Sequence, residues 1–441
     1  MSDLINATDA TYNADSRWVI AKLEIYFDAV PTVITKDDYL IDWDVLEEVG
    51  SDASGRPLGN TSANTLTFGL LNDKGIFSPT TTTGPYYGKI RAGIKVIPYI
   101  RTKDTNFIQL GVFYVNEWLA AVTSLQATVS CTDQLSKIFT GVTARPLVSA
   151  RKTYAQAYTS LMDALGVVAT IDNTLTGALD WWYTLANNMT TIQALSTASI
   201  SGCFCGRDGN IVVRNMANSK EVRAILTDRD QVATATVSTA LDKEFNGVLL
   251  FLNRPQLSKR IELLNVQDIN LSRGTYSSAV TQFNIVPVVR VESIHSTFNA
   301  PNCRMQTYSA NPYELMYSML NGHTAAAVAS LTVYGRSIEI AKSEFLNFGE
   351  NLLQLDNEYV QTPGVATMVG DMLTRFTESD LPFLDVSVRG NPLLQLGDKI
   401  TIQSSKYKLN FTGYILRQQF TYTGALRAQI RLINSRILEV T

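Results

Sequence analysis

The sequence predicts a mainly β chain with α+β insertions, in which two similar antiparallel β-barrel domains flank a small α/β domain and a helix-containing insertion. Three observations predict it. Apolar and polar residues alternate at a period of two near both ends, helical periodicity is confined to the middle and one late segment, and an order of strands and turns recurs. At 441 residues the chain has room for roughly three domains. An apolar fraction of 45% is that of a globular protein, which excludes a disordered or fibrous chain. Only 17% of residues are charged, so the surface is polar through hydroxyl and amide groups and suited to being covered by partner subunits. The net charge of −3 argues against a protein whose main task is gripping a phosphate backbone. Four cysteines, at 131, 203, 205 and 303, are too few and too scattered for a disulfide scaffold.

Residues 1–16 are polar, lack the basic and apolar regions of a signal peptide, and read as a flexible arm. No run of 18 apolar residues is present, so no membrane span is expected and the chain reads as soluble, made in a cytoplasm. Val19, Ala21, Leu23, Ile25 and Phe27 then alternate as in a half-buried strand, and Leu66, Phe68 and Leu70 repeat the pattern. Loops rich in Gly, Ser, Asn, Asp and Thr are expected between Val49 and Asn64 and from Ser78 to Gly88. These segments assign 17–131 to a first barrel.

A small α/β domain is expected over 132–222. Tyr154, Ala157, Tyr158, Leu161 and Leu165 share a helical face that Gly166 ends. A shorter helix carrying Ile192 and Leu195 follows Thr190, read as its N-cap. Arg207-Asp208-Gly209-Asn210 is a hairpin turn between Cys203-Phe204-Cys205 and Ile211-Val212-Val213. Strands resume after Val222, assigning 223–300 and 380–441 to a second barrel, with an insertion at 301–379. Inside it, Val365, Met368, Val369, Met372, Leu373 and Phe376 mark an amphipathic helix over 365–376.

The repeat links the two ends. Near the C-terminus, Leu384, Val386 and Val388 precede Gly390-Asn391-Pro392, Gly397-Asp398-Lys399-Ile400, Gly413, Phe420, and a strand of Leu426, Ala428, Ile430 and Leu432. Near the N-terminus, Leu66, Phe68 and Leu70 precede Gly84-Pro85, Gly93-Ile94-Lys95-Val96, Gly111, Trp118, and a strand of Leu125, Ala127, Val129 and Cys131. Gly111 and Trp118 are seven positions apart, as are Gly413 and Phe420, which aligns Gly111 with Gly413.

The stretch Arg389-Gly390-Asn391-Pro392-Leu393-Leu394-Gln395-Leu396-Gly397-Asp398-Lys399-Ile400 resembles a motif of phage tail and baseplate central hub proteins, T-even baseplate hubs included. Gly413-Tyr414-Ile415 and Tyr422-Thr423-Gly424-Ala425-Leu426 resemble the same family, as do Thr65–Asp73 and Gly111–Val115. The resemblance implies tail-tube-like barrels and gives Gly390, Asn391, Pro392, Gly397, Asp398, Gly413 and Gly424 as structural or interface residues. It also implies a function: a homotrimeric symmetry adaptor in a virion tail tip, assembled in the host cytoplasm. Its six barrels would meet a hexameric tail tube or distal tail protein, and a trimeric spike, fibre or tail-tip protein would dock below. Tape-measure protein and DNA would pass through its channel. The chain ends soon after its last barrel strand, unlike tail-tip relatives with long C-terminal extensions, so the spike or fibre is expected to be a separate chain.

Few residues invite other chemistry. His295 and His323 sit in no hydrolase context, no phosphate-cradling or dinucleotide loop is present, and no catalytic, metal or cofactor site is assigned. Cys203 and Cys205 lie two apart on one strand with no second ligand pair, which favours core packing over metal. Asp37, Asp38, Asp42, Asp44, Glu47 and Glu48 read as a solvated acidic loop. Arg427 and Arg431 lie on the polar face of the last strand, where a channel or a neighbouring subunit would meet them. Trp181 and Trp182 support the alternative function, a carbohydrate-binding adhesin or distal tail component contacting the host surface through those rings.

Overall fold

The computed structural model describes residues 18–439 apart from 51–57, 104, 121–124, 141–146, 219, 231–233 and 237–244. The expected flexible arm at 1–16 lies outside the described residues, as does the middle of the Val49–Asn64 loop. The fold is mostly β with helical insertions.

The N-terminal strands are β1 (Val19–Ile25), β2 (Thr32–Thr35), β3 (Leu40–Gly50), β4 (Asn60–Thr61), β5 (Thr65–Leu71), β6 (Lys95–Thr102), β7 (Ile108–Gln109), β8 (Phe113–Ala120) and β9 (Gln126–Thr132). Strand β1 buries every second residue, as its alternation requires. Strand β3 runs through most of the acidic cluster and corrects the loop reading. Trp43, Val45, Glu47 and Val49 are buried on one face, and this alternation, with its β-branched and aromatic members, outweighs the count of carboxylates.

The middle of the chain holds α1 (Gln134–Thr140), β10 (Val148–Thr153), α2 (Tyr154–Leu165), β11 (Ala169–Ile171), β12 (Ala178–Tyr183), α3 (Asn188–Ser199), β13 (Ser201–Cys205) and β14 (Ile211–Asn215). Helix α2 opens with a capping box from Thr153 and Gln156 and closes on Gly166 at φ 66°, where a side chain would be strained. Helix α3 starts one turn earlier than expected. Asn187 is its N-cap, its Oδ1 accepting the Thr190 N–H at 2.7 Å. Asn187→Ala is therefore expected to cost about 1 kcal/mol. Exposed Thr190→Ala should stay within about 0.5 kcal/mol, as urea denaturation of the two variants would show.

Next come β15 (Ala224–Thr227), β16 (Thr234–Thr236), β17 (Gly247–Leu257), β18 (Ile261–Leu271), β19 (Tyr276–Gln282), β20 (Val288–Phe298), β21 (Cys303–Ala310), β22 (Glu314–Asn321), β23 (Ala327–Phe348) and β24 (Leu352–Leu355). Strands β17 to β24 pair among themselves: β18, β17 and β20 all lie along β23, β24 flanks β17, and β19 and β21 flank β22. The expected boundary at residue 300 thus falls inside a set of strands that pair with one another. Helix α4 (Pro363–Thr377), capped by Thr362, buries Val365, Val369, Met372 and Leu373 against Leu250 and its neighbours, on the face that its periodicity indicates. The chain closes with β25 (Phe383–Val388), β26 (Lys399–Ser404), β27 (Leu409–Tyr422), β28 (Leu426–Asn434) and the short α5 (Ser435–Leu438).

The two ends join in one sheet whose path is β16-β25-β28-β27-β3-β5-β9-β8-β6-β1-β2, with β26 paired to β27 and β15 to β26. The order β3-β5-β9-β8-β6 is therefore repeated as β16-β25-β28-β27-β26. Register agrees as well. Leu66 faces Cys131 and Phe68 faces Val129, as Leu384 faces Leu432 and Val386 faces Ile430. Lys95 faces Tyr114, as Lys399 faces Tyr414. Each copy has a bulge, after Val115 and after Ile415. Gly93 donates to the Val115 carbonyl at 2.7 Å and Gly397 to the Ile415 carbonyl at 2.8 Å. These bonds equate Val115 with Ile415, so Gly413 corresponds to Phe113, and the sequence alignment of Gly111 with Gly413 is two residues out along this strand. A two-residue slip keeps every side chain on its face, which is why hydrophobic pattern alone does not detect it. A single apolar cluster, with members from Val19 to Cys131 and from Leu384 to Leu432, packs between these strands.

Candidate functional site at the seam of the two chain ends

Strands β3 and β27 meet edge to edge over Trp43–Glu48 and Arg417–Tyr422, antiparallel, with Val45 opposite Phe420. Trp43 stacks on Tyr422 across this seam, ring centroids 5.7 Å apart. On the other face Gln419 Nε2 donates to both Asp44 oxygens at 3.0 and 2.9 Å, and the Thr421 hydroxyl donates to Asp44 at 2.8 Å.

Alternation along β3 points Glu47 inward, where a carboxylate requires a partner. Arg207, in the β13–β14 turn, supplies it: Nε and Nη2 donate to the two Glu47 oxygens at 2.7 and 3.0 Å. The side chains are 10% and 6% exposed, so this is a buried, bidentate pair. Arg207 also donates to the carbonyls of Pro392 and, at 2.8 Å, of Leu394. Gln418 Nε2 donates to Glu47 and to the Leu394 carbonyl. One guanidinium therefore ties together β3, the middle hairpin and the 390–398 loop.

A second arginine repeats the clamp. Arg214 Nη1 donates to the Leu396 carbonyl at 2.6 Å and to Asp398 at 3.1 Å, and Arg223 adds a donor to Asp398 at 3.3 Å. Asp398, nearly buried, also accepts the Gln395 N–H at 2.8 Å. Asn391 Oδ1 accepts from Leu393 N, and Gly390 and Gly397 hold φ of 84° and 74°, backbone that favours glycine. A Cβ on Gly413 would collide with the Ile433 carbonyl, and one on Gly424, at φ 101°, would strike Lys36. Gly390, Asn391, Pro392, Gly397 and Asp398 thus share one clamped loop, while Gly413 and Gly424 lie on and beyond β27.

Beside the seam, Asp133 accepts from the Asn64 and Leu135 N–H groups at 2.9 Å each. Burial pushes its carboxyl up to about 7, the Glu47 charge adding to the shift and the backbone donors opposing it. Burial likewise pushes the Cys203 thiol up to about 12, so this cysteine behaves as a core residue.

The remaining candidates lie elsewhere. Arg427 is exposed on β28, while Arg431 pairs with Asp385 at 3.4 Å and lies over the Phe383 ring. Trp182 is fully buried and packs on Tyr359, which removes it as a surface platform and corrects that reading; Trp181 beside it is half-buried. His295 packs on Tyr334, and His323 Nδ1 accepts the Ala325 N–H at 3.2 Å. Among the described residues no group of three or more His, Cys, Asp or Glu side chains is placed to hold a metal ion, and no helix is long and apolar enough to cross a membrane. Sequence reading missed Arg207, Arg214 and Gln418. The detectable signal was Glu47, a carboxylate in phase with Trp43, Val45 and Val49.

No family model and no curated protein sequence matches the chain. Solved structures match it along nearly the whole length, two tail proteins among them. The 43 kDa tail protein of prophage MuSo2 from Shewanella oneidensis superposes with a TM-score of 0.55 at 10% identity, covering 95% of this chain and 99% of that one. A tail protein from Neisseria meningitidis MC58 gives 0.54 at 8% identity, with 95% and 97% covered. At such identities the likeness is one of fold.

Proposed function

We propose that this chain, which folds like those two tail proteins, is a structural hub of a phage tail tip or baseplate and acts as a homotrimer. The observation that carries the proposal is the repeated five-strand order, joined within one chain by the β3–β27 seam. One chain then presents two tube-like β-barrel modules, the first from strands within 19–132 and the second from 224–236 and 383–434. Three chains present six modules to a hexameric tail tube or distal tail protein, and three copies of the middle domain and the β17–β24 insertion to a spike or fibre formed by other chains. Closed rings are favoured because each edge finds a partner. The polar sheet face bearing Arg417, Gln419, Arg427 and Gln429 would line the channel taken by tape-measure protein and DNA. The role is structural, with no catalysis, and the site of action is the virion tail.

Light scattering coupled to size exclusion tests the oligomer. A trimer at micromolar concentration is expected, and a stable monomer or dimer would sink the proposal.

A further inference from the structure

Strand β23 carries β18 on one edge and β20 on the other, and its alternation decides what this three-stranded face offers to solvent. Leu331 and Val333 turn inward, into an apolar cluster shared with Leu315, Tyr317 and Met319 of β22. Thr332, Tyr334 and Arg336 therefore turn outward, away from the β19-β22-β21 sheet. On that outer face Arg336 pairs directly with Arg290, and like charges so opposed repel. The bulge in β20 after Val291 resolves the conflict. Glu292 is left out of the ladder, and its carboxylate reaches both arginines at 2.8 Å each. Arg260 lies over the Tyr334 ring, 5.1 Å from its centroid, and donates to the Ser293 hydroxyl at 2.6 Å. This brings a third guanidinium to 3.9 Å from the same carboxylate. The Arg336 hydrogen bond and the charges of Arg290 and Arg336 hold the Glu292 carboxyl below its usual range, so it is ionised.

Three cations thus surround one anion, and the group stays net positive when Glu262, opposite Tyr334 on β18, is included. The arginine side chains are 35% to 58% exposed, open to a ligand, and Arg336 gives only its Nε to Glu292. An exposed ion pair contributes little to stability, so a second anion can displace Glu292 at small cost. Beside the arginines the face is neutral and polar: Asn265 and His295 flank Thr332, and the next row joins Thr297 to Ser330 by a hydrogen bond of 2.6 Å. We infer that this face binds an acidic polysaccharide, whose carboxylates enter the arginine cradle in place of Glu292 while its hydroxyls meet Asn265 and Thr332. Glu292 marks the ligand chemistry, since the guanidinium groups already hold a carboxylate. The flanking hydroxyl and amide groups favour a sugar polymer over an acidic peptide, because they match its hydroxyls as donors and acceptors. The inference is independent of the oligomer proposed above.

Biolayer interferometry of the full chain on immobilised polygalacturonate tests it. The wild-type chain should bind, and should ignore both neutral dextran and polyglutamate, which has carboxylates but no sugar hydroxyls. R290Q/R336Q should weaken binding about tenfold or more. R290K/R336K keeps the charge but loses the planar fork, and should also weaken binding. Glu292→Gln should tighten it severalfold, because the internal competitor is gone. Arg91→Gln, which removes an exposed arginine of the first barrel module, should change nothing. Circular dichroism should show the same secondary structure for every variant. A wild-type chain that does not bind polygalacturonate, or binds polyglutamate equally well, overturns the inference. So does full binding by R290K/R336K, or a Glu292→Gln chain that binds no tighter. None of these results bears on the hub proposal, which light scattering decides.

Discussion

Arg207→Met is expected to destabilise the chain by about 3–5 kcal/mol, because it strands the Glu47 carboxylate in a site from which water is excluded. The loss has two parts. One is the desolvated charge; the other is the Pro392 carbonyl, which loses its donor, and the Leu394 carbonyl, which is left with Gln418 alone. Adding Glu47→Leu removes the first part and leaves the second, so the double variant should recover about half of the loss. Urea denaturation of the two single variants and the double gives the coupling energy. Effects that add to within about 0.5 kcal/mol would mean that the pair does not act as a unit.

Trp43→Ala is expected to cost about 3–5 kcal/mol, the range for removing a large ring from a packed core. Trp43 is 1% exposed and its Nε1 has no hydrogen-bond partner, so the effect lies in packing, on Tyr422 across the seam and within the shared core. Trp43→Phe keeps the stacking on Tyr422 and should recover most of it. Trp18, 72% exposed, is the control, and its replacement by Ala should stay within about 0.5 kcal/mol. A Trp43→Ala effect no larger than that of Trp18→Ala would show that the seam contributes little to stability.

Much of this was legible in the sequence because a period of two fixes which residues face inward. The strands of Leu66 to Leu70 and Leu384 to Val388, the helix over 365–376 and the Cys203–Val213 hairpin all follow from periodicity and turn chemistry. Pairing partners were less legible, since strand alternation does not say which distant strand lies alongside. Residues 247–298 read as strands, but that β17, β18 and β20 among them lie along the 22-residue β23 is a long-range fact. Charge counting misled at β3, where four carboxylates of the acidic cluster masked an alternation that decides the burial of Glu47. The Trp181-Trp182-Tyr183 run invited a surface reading, whereas successive strand residues point to opposite faces and Trp182 takes the inner one.

The seam also sets a constraint on biosynthesis. Its two halves, Trp43–Glu48 and Arg417–Tyr422, lie about 370 residues apart, which at ordinary rates of translation is roughly 20–75 s of waiting on the ribosome. A polypeptide truncated anywhere before Leu409 leaves its early half without a mate, and one truncated before Pro392 also lacks the acceptor carbonyls that Arg207 clamps. Chains synthesised through Tyr422 then have the interlock, and shorter termination products lack the contacts that hold the two ends together.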